Sequence, residues 1–359
     1  MMDEAKMISM IGELSSANGA PGFEDEVVAL LRSYCQGLGD MREDSLRNLF
    51  VYSKGNRGNR PVVQLDAHSD EVAFMVQNIC ADGTLKVHNL GGWVPFCVPA
   101  HAVRVRTPKG YIPGIVASKP PHYMTDAEKT TLPKIADMVI DVGAVSREDA
   151  VKNFGIRIGE PVIPDVSFQY LRESGILYGK AFDCRLGCAA LAATMMELAG
   201  KELKVDVVGA FAVQEEMGLR GARVTANRVK PAAAIVFEGC PADDTFNASA
   251  EMAQTALKKG PMLRHLDNQM ITNPRFQRFA LDTAAELGVP VQEGVRTGGS
   301  TNGASIHLSN EGVPVIVIGM GVRYAHTHYC YSSYSDFENA VKLGAAILRR
   351  LSPELIEGF

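Results

Sequence analysis

The stretch Val205–Ala222, VDVVGAFAVQEEMGLRGA, decides the reading of this chain. Its first part, Val205–Val213, is a run of small and β-branched residues that reads as a buried strand. Strands buried on both faces belong to parallel sheets covered by helices. The run then meets two adjacent carboxylates, Glu215 and Glu216. Like charges at the mouth of a buried strand raise each other's pKa. A cation, or a shared task in proton transfer, would offset that cost.

Outward from this stretch the same texture repeats. Residues 50–53, 62–65, 232–237 and 315–318 read as strands, and 3–17, 24–37, 186–198, 275–287 and 337–351 as helices. Apolar strands alternating with helices predict an α/β fold, a mostly parallel sheet with helices on both faces. Between residues 70 and 166 the texture changes to short β-like stretches punctuated by Gly and Pro, with a helical period only at 147–154. This reads as a small all-β module. The expected organisation is one α/β domain from residues 1–69 and 167–359, with the β module 70–166 inserted. The glycine strings GGW (91–93) and TGGSTNG (297–303) lack the Lys-Ser/Thr that completes a phosphate loop.

Composition bounds the function. A chain of 359 residues is long enough for two domains and a large core. With 46% hydrophobic and 21% charged residues it is not a disordered segment. A net charge of −5 without a basic cluster argues against nucleic acid or an anionic membrane surface as partner. No apolar run is long enough to span a bilayer, and the first residues lack the basic and apolar regions of a signal peptide. The seven cysteines are scattered with no CxxC pair, so a reduced, cytoplasmic compartment is expected. Cys184 and Cys188, four apart, read either as a ligand pair on a helix or as small buried residues at a helix start.

Several polar residues sit where strands end. His68 and Asp70 follow the strand PVVQL; residues two apart in extended chain share a face, so His68 could ligate a metal while Asp70 accepts its other ring N–H. Asp183 precedes a helix and reads either as an N-cap or as a carboxylate bridging two cations. Glu238 closes the strand PAAAIVFEG. His326 and His328 follow VIVIG as an HxH pair, while His88, His101, His122, His265 and His307 read as core or surface residues. Each has a structural reading when taken alone. Together, His68, Asp183, Glu215, Glu216, Glu238 and His326 lie at strand ends or a helix start, where ligands collect in open α/β sheets. Such a mixed nitrogen and oxygen set suits Zn²⁺, Co²⁺ or Mn²⁺. Five ligands and a spare glutamate fit a two-metal hydrolase. A glycoside hydrolase using Glu215 and a second carboxylate is the rival from another reaction class. Adjacent glutamates flank a sugar poorly, and a glycosidase does not need the histidines. A non-catalytic, metal-stabilised assembly protein is the third reading.

The chain resembles the tetrahedral aminopeptidases, two-metal metallopeptidases that include glutamyl aminopeptidases and relatives labelled endoglucanases. The resemblance is carried by APGFE (20–24), AHSDEVAFMV (67–76), GGW (91–93), GIVASKPPH (114–122), KAFDCRLGC (180–188), VQEEMGLRGA (213–222), GP (260–261), GGSTNGASIH (298–307) and RYAHTH (323–328). More distantly it is similar to two-metal deacylases and carboxypeptidases. The resemblance implies two divalent metal ions, zinc or cobalt with manganese as an option. Asp183 would bridge them, His68 and Glu238 would complete one site, and Glu216 and His326 the other. Glu215 would be the general acid/base and Asp70 would orient His68. Arg323 and the 297–303 loop, with Gly299 and Asn302, would contact substrate, although Arg323 could equally brace the fold. The β module would mediate dimerisation, and dimers would assemble into a tetrahedral dodecamer admitting short peptides. The chain departs from many relatives at Ser69 and Ala73, where Met and Gly are usual, and at Glu238 and Asn302, where Asp is usual. The last is expected to bear on substrate preference.

Overall fold

In the computed structural model, which describes residues 3–246, 249 and 252–359, the chain opens with helices α1 (Glu4–Ser16) and α2 (Asp25–Tyr34). Strands β1 (Gly39–Glu43), β2 (Leu49–Ser53) and β3 (Val62–His68) follow. Next come β4 (Ala73–Ile79), β5 (Leu85–Leu90), β6 (Ala102–Thr107) and β7 (Gly110–Val116). Helix α3 (Asp126–Thr130), β8 (Val139–Asp141), α4 (Arg147–Lys152) and β9 (Pro161–Pro164) complete this part. Beyond it lie β10 (Gln169–Leu171), β11 (Ile176–Gly179), α5 (Phe182–Leu198), β12 (Asp206–Ala212), α6 (Arg220–Val229) and β13 (Ala233–Pro241). The rest comprises β14 (Met262–Leu266), α7 (Pro274–Leu287), β15 (Gln292–Val295), α8 (Gly303–Ile306), β16 (Val315–Val322), β17 (Cys330–Ser333), α9 (Tyr334–Arg350) and α10 (Pro353–Glu357).

Eight strands form one sheet in the order β1-β2-β12-β3-β13-β16-β14-β15. Its centre, β12-β3-β13-β16, is parallel, as the both-faces-apolar strands require. The flanks β2 and β14 run antiparallel to their central neighbours. One face packs on α1, α5, α7 and α9 through the main core, which includes Phe182, Leu191, Phe237, Phe276 and Phe337. The other face packs on α6 and α8 through a second cluster, including Ala222, Ala226, Val236, Ile306 and Val317.

Strands β4 to β9 close into a separate barrel in the order β4-β5-β8-β7-β6-β9, filled by Phe74, Val87, Val103, Val105, Ile140 and Val162 among others. It leaves the chain after β3 and returns before β10. No helix among the described residues is long and apolar enough to cross a membrane.

Two differences from the sequence reading bear on the site. Strand β3 continues to His68, because its register against β12 runs on to Ala212 opposite His68. Strand β13 continues to Pro241 against Val322 of β16, so Glu238 lies inside a strand and is only 4% exposed. The solvated-glutamate reading of Glu238 is therefore excluded. Strand β1 went unread because it is a half-exposed, polar edge strand, and β14 and β15 because each is short and mixed in polarity.

Candidate active site

The carboxyl ends of β12, β3, β13 and β16 lie side by side, and the chemistry-bearing residues converge there. His68 is the last residue of β3 and is buried. Its Nε2 lies 3.0 Å from Asp183 Oδ1 and 3.5 Å from Glu238 Oε1, while Nδ1 lies 3.3 Å from Asp70 Oδ1. The Nδ1 contact is too bent to count as a formed hydrogen bond. The ring is thus placed against Asp70 without being locked to it.

Asp70 does a second job that the sequence did not disclose. Its two oxygens accept the backbone N–H groups of Glu215 at 2.9 Å and Glu216 at 3.0 Å. One buried carboxylate therefore fixes the glutamate side of the centre and borders the histidine side. Just upstream, Gln214 adopts φ 54°, and its N–H donates to Glu24 Oε1 at 3.1 Å. The turn that separates the directions of Glu215 and Glu216 is thus held on each side by a buried carboxylate. Burial, with the charge of Asp70 beside it, pushes Glu24 up to about 8.

Asp183 lies at the start of α5 with non-helical dihedrals and makes no capping bond; Ala181, at φ 54°, holds the capping position. The N-cap reading is corrected accordingly. The carboxylate faces two histidines, Oδ1 toward His68 and Oδ2 at 3.3 Å from His326 Nε2. His326 Nε2 also lies 3.6 Å from Glu216 Oε1, and its Nδ1 donates to the carbonyl of Gly92 at 2.7 Å. Gly92 belongs to the GGW string carried by the barrel. A Cβ at Gly92 would sit 3.2 Å from His326 Nδ1, and one at Gly91, where φ is +81°, would sit 2.8 Å from Glu216 Oε2. Only glycine lets this loop approach both side chains.

The HxH pair does not act as a pair. His326 adopts φ 61°, which ends the extended geometry that would put His328 on the same face. His328 is buried, its ring 4.2 Å from that of His101 and 5.1 Å from that of Trp93. Burial, reinforced by His101, pushes His328 down to about 3.

The electrostatics of the centre are one-sided. Burial raises Glu215 well above its ordinary value, and the charges of Glu216, Glu238 and Asp183 add to that. Burial and Asp183 push Glu216 up to about 8, against the pull of His326. Burial alone would lower the histidines, yet the surrounding acidic groups win. His68 is raised well above its usual value and His326 to about 10. Burial opposes ionisation of Asp183, but His326 and His68 hold it well below the carboxylate range. Among the described residues no Lys or Arg forms a salt bridge with Asp70, Asp183, Glu215, Glu216 or Glu238.

This donor set fits metal ions. Three groups offer ligand atoms within 4.8 Å of one another: His68, Asp183, Cys184 and Glu238; His68, Glu215 and Glu216; and Asp183, Glu216 and His326. Asp183 is common to the first and third, as a bridging ligand would be. Cys184 joins the first group, whereas Cys188 donates to the carbonyl of His68 at 3.0 Å and stands in none.

Above the centre opens a cleft of about 580 Å³ whose lining includes Asp183, Glu215, Glu216, Glu238 and His326. Gly299 lines it with Thr297, Gly298 and Ser300, as expected of the 297–303 loop. Two expected substrate contacts are corrected. Arg323 is not in the lining; its guanidinium grips Asp244 at 2.9 and 2.7 Å and braces the fold. Asn302 is buried beneath the loop, and its Nδ2 donates to Asp66 Oδ1 at 2.7 Å. Asp66 also accepts from Gln64 at 2.9 Å, and burial raises it to about 6 despite these bonds. Arg264 and Arg296 do line the cleft, and neither was singled out from sequence, because an isolated arginine on a short strand or just beyond one carries no pattern.

The sequence profile of the family described as M42 glutamyl aminopeptidase matches residues 47–343. The chain is 34% identical over 354 residues to a glutamyl aminopeptidase of Lactococcus lactis subsp. cremoris, covering 98% of each. Its structure is similar to that of a TET aminopeptidase from a marine sediment Thaumarchaeota archaeon, with a TM-score of 0.95, 35% identity and 99% of each chain covered. It is also similar to the Pyrococcus horikoshii TET1 peptidase, which can assemble into a tetrahedron or a large octahedral shell. There the TM-score is 0.86 and the identity 26%, with 96% of this chain and 100% of the other covered.

Proposed function

The chain belongs to the M42 glutamyl aminopeptidase family of peptide-bond hydrolases, and from that premise we propose a two-cation mechanism in which Glu215 moves the proton. The observation that carries this reading is the Asp183 carboxylate set between His68 and His326 in a buried, acid-rich centre whose carboxylates form no salt bridge with lysine or arginine among the described residues. His68, Asp183 and Glu238 would hold one cation, and Asp183, Glu216 and His326 the other. Zinc, cobalt and manganese all suit the nitrogen and oxygen donors. When bound, the pair supplies Lewis acidity to the scissile carbonyl and acidifies the attacking water.

The remaining work falls to the chain's own residues. Asp70 sets the backbone of the Glu215–Glu216 turn and lies against His68, and Gly92 fixes the tautomer of His326. Glu215 lines the cleft and carries no salt bridge among the described residues, so it is free to accept a proton from the attacking water and return it to the leaving amine. Its raised proton affinity suits a group that must both take and give a proton near neutral pH. Replacing Glu215 by Gln should lower peptide cleavage by roughly 10²–10⁴-fold while metal content stays at the wild-type value. Wild-type turnover in that variant would remove Glu215 from the mechanism.

The cleft also supports a substrate preference. Arg264, paired with Asp267 at 3.1 Å, and Arg296, 3.5 Å from Asp243, place guanidinium donors in its wall, favouring peptides whose N-terminal side chain is acidic. Glutamyl and aspartyl chromogenic substrates should be cleaved faster than lysyl or leucyl ones, and Arg264→Met should narrow that ratio. Equal kcat/KM across the series would reject the preference.

Self-association through the barrel fits the apolar residues that it exposes, among them Phe96, Ile115, Tyr123 and Leu132. A closed shell of such subunits would restrict entry to short peptides.

A further inference from the structure

The half-site around His68 contains a side chain that the mechanism above leaves unused. Cys184 follows the bridging Asp183 in sequence and is fully buried. Its Sγ shares a ligand group with His68, Asp183 and Glu238, whereas the group formed by Asp183, Glu216 and His326 has three donors and no sulfur. The position of the thiol is well defined. Sγ donates to the carbonyl of Phe237, the residue before Glu238, at 3.2 Å. Gly187 makes room for it, since a Cβ there would lie 2.3 Å from Sγ.

We propose that Cys184 is a fourth protein ligand of the His68–Asp183–Glu238 half-site, making it a closed seat for a thiophilic cation such as Zn²⁺ and leaving the His326 half-site as the open, exchangeable one. On coordination the thiol proton passes to solvent, and the contact with Phe237 is given up. Thiolate donors select zinc over harder ions such as Mn²⁺. Closed four-ligand spheres characterise tightly held zinc, while three-ligand spheres keep a position for water and substrate. The burial pattern agrees with this division. His68 is 2% exposed and absent from the cleft lining, whereas the side chain of His326 is 36% exposed and lines it.

This inference rests on the two-cation reading, and its test separates the two. Metal-free full-length protein is titrated with Cd²⁺ and with Co²⁺, while bound metal is counted by mass spectrometry and the near-ultraviolet absorption is followed. Two cations should bind, the first bringing a sulfur-to-metal charge-transfer band and the second adding none. Cys184→Ser should lose the band, and its tight site should lose its preference for Zn²⁺ over Mn²⁺ by on the order of ten- to a hundredfold. Cys188→Ser should keep both. Two bound cations without a band, or a band that survives Cys184→Ser, overturns the role of Cys184 and leaves the two-cation reading standing. A chain that binds no cation overturns both. Should Cys184→Ser fail to fold, X-ray absorption of the zinc-loaded wild type decides, because a sphere without sulfur overturns the proposal.

Discussion

Asp70 and Glu71 are neighbours in the chain and equally buried, yet they enter opposite electrostatic settings. Glu71 meets two cations. Lys180 Nζ lies 2.6 Å from each of its oxygens, and Arg185 Nη2 lies 3.1 Å from one. Arg185 also donates to the carbonyls of Leu14 and Ala17 at the end of α1, and to those of Gly19 and Ser69. This triad is complete in itself and ties α1, the end of β3 and α5 together. Asp70 instead joins a cluster of five carboxylates and two histidines that has no such salt bridge among the described residues. The same short segments, 68–71 and 180–185, feed both. The fold answers the buried carboxylate of the first cluster from within, with two cations, whereas the carboxylates of the second face only histidines. The first builds the scaffold and the second is the proposed place of work.

The contrast can be broken most forcefully at Glu71. Glu71→Ala strands Lys180 and Arg185 as unpaired buried charges and should cost about 3–5 kcal/mol, read as a lower midpoint in urea denaturation. A loss below about 1 kcal/mol would mean that water already reaches the triad.

The acidic centre should show the reverse tendency. Glu216 is raised to about 8 and His326 to about 10, so the metal-free native state binds more protons than the unfolded chain between roughly pH 4.5 and 10. Stability of the metal-free protein is then greatest at the acid end of that window. It falls as pH rises through the folded-state values. Thermal melts from pH 6 to 9 should show a declining Tm without metal and a much flatter profile with Zn²⁺ added. In the metal-free protein Glu216→Gln should reduce the slope. Identical slopes with and without metal would contradict the assignment of these groups as ligands.

Asp66 is an intermediate case, a buried carboxylate held by the neutral donors Asn302 and Gln64. Asn302→Ala leaves one oxygen unsatisfied and should cost about 1–3 kcal/mol. Because Asn302 underlies the loop that carries Gly299, KM should rise more than kcat falls. A change confined to kcat would place its effect elsewhere.

How much of this was legible in the sequence follows from what each residue depends on. The central strands declared themselves because burial on both faces forces unbroken apolar runs, and the ligand candidates declared themselves by ending those runs. Residues whose roles depend on local backbone shape were harder to read. Asp183 looked like a cap because sequence does not show that Ala181 turns left-handed before it. The histidine pair looked joint because the turn at His326 is likewise invisible. Asn302 and Arg323 were placed by their loops, yet each is claimed by a distant carboxylate, Asp66 or Asp244, whose approach depends on the tertiary fold. The buried partners of Glu71 were unreadable for the same reason, since 109 residues separate it from Lys180.

The barrel's Gly91–Gly92 loop reaches across to Glu216 and His326, so the inserted unit is no detachable handle. Anyone trimming this protein to its α/β domain, or grafting its barrel onto another chain, would remove the glycine loop that walls the acidic centre together with the barrel's exposed apolar surface. Whatever loosens the barrel, whether heat or a truncation, should first be felt as slack at one histidine. If the barrel also joins subunits, as proposed above, association and turnover would then fail together.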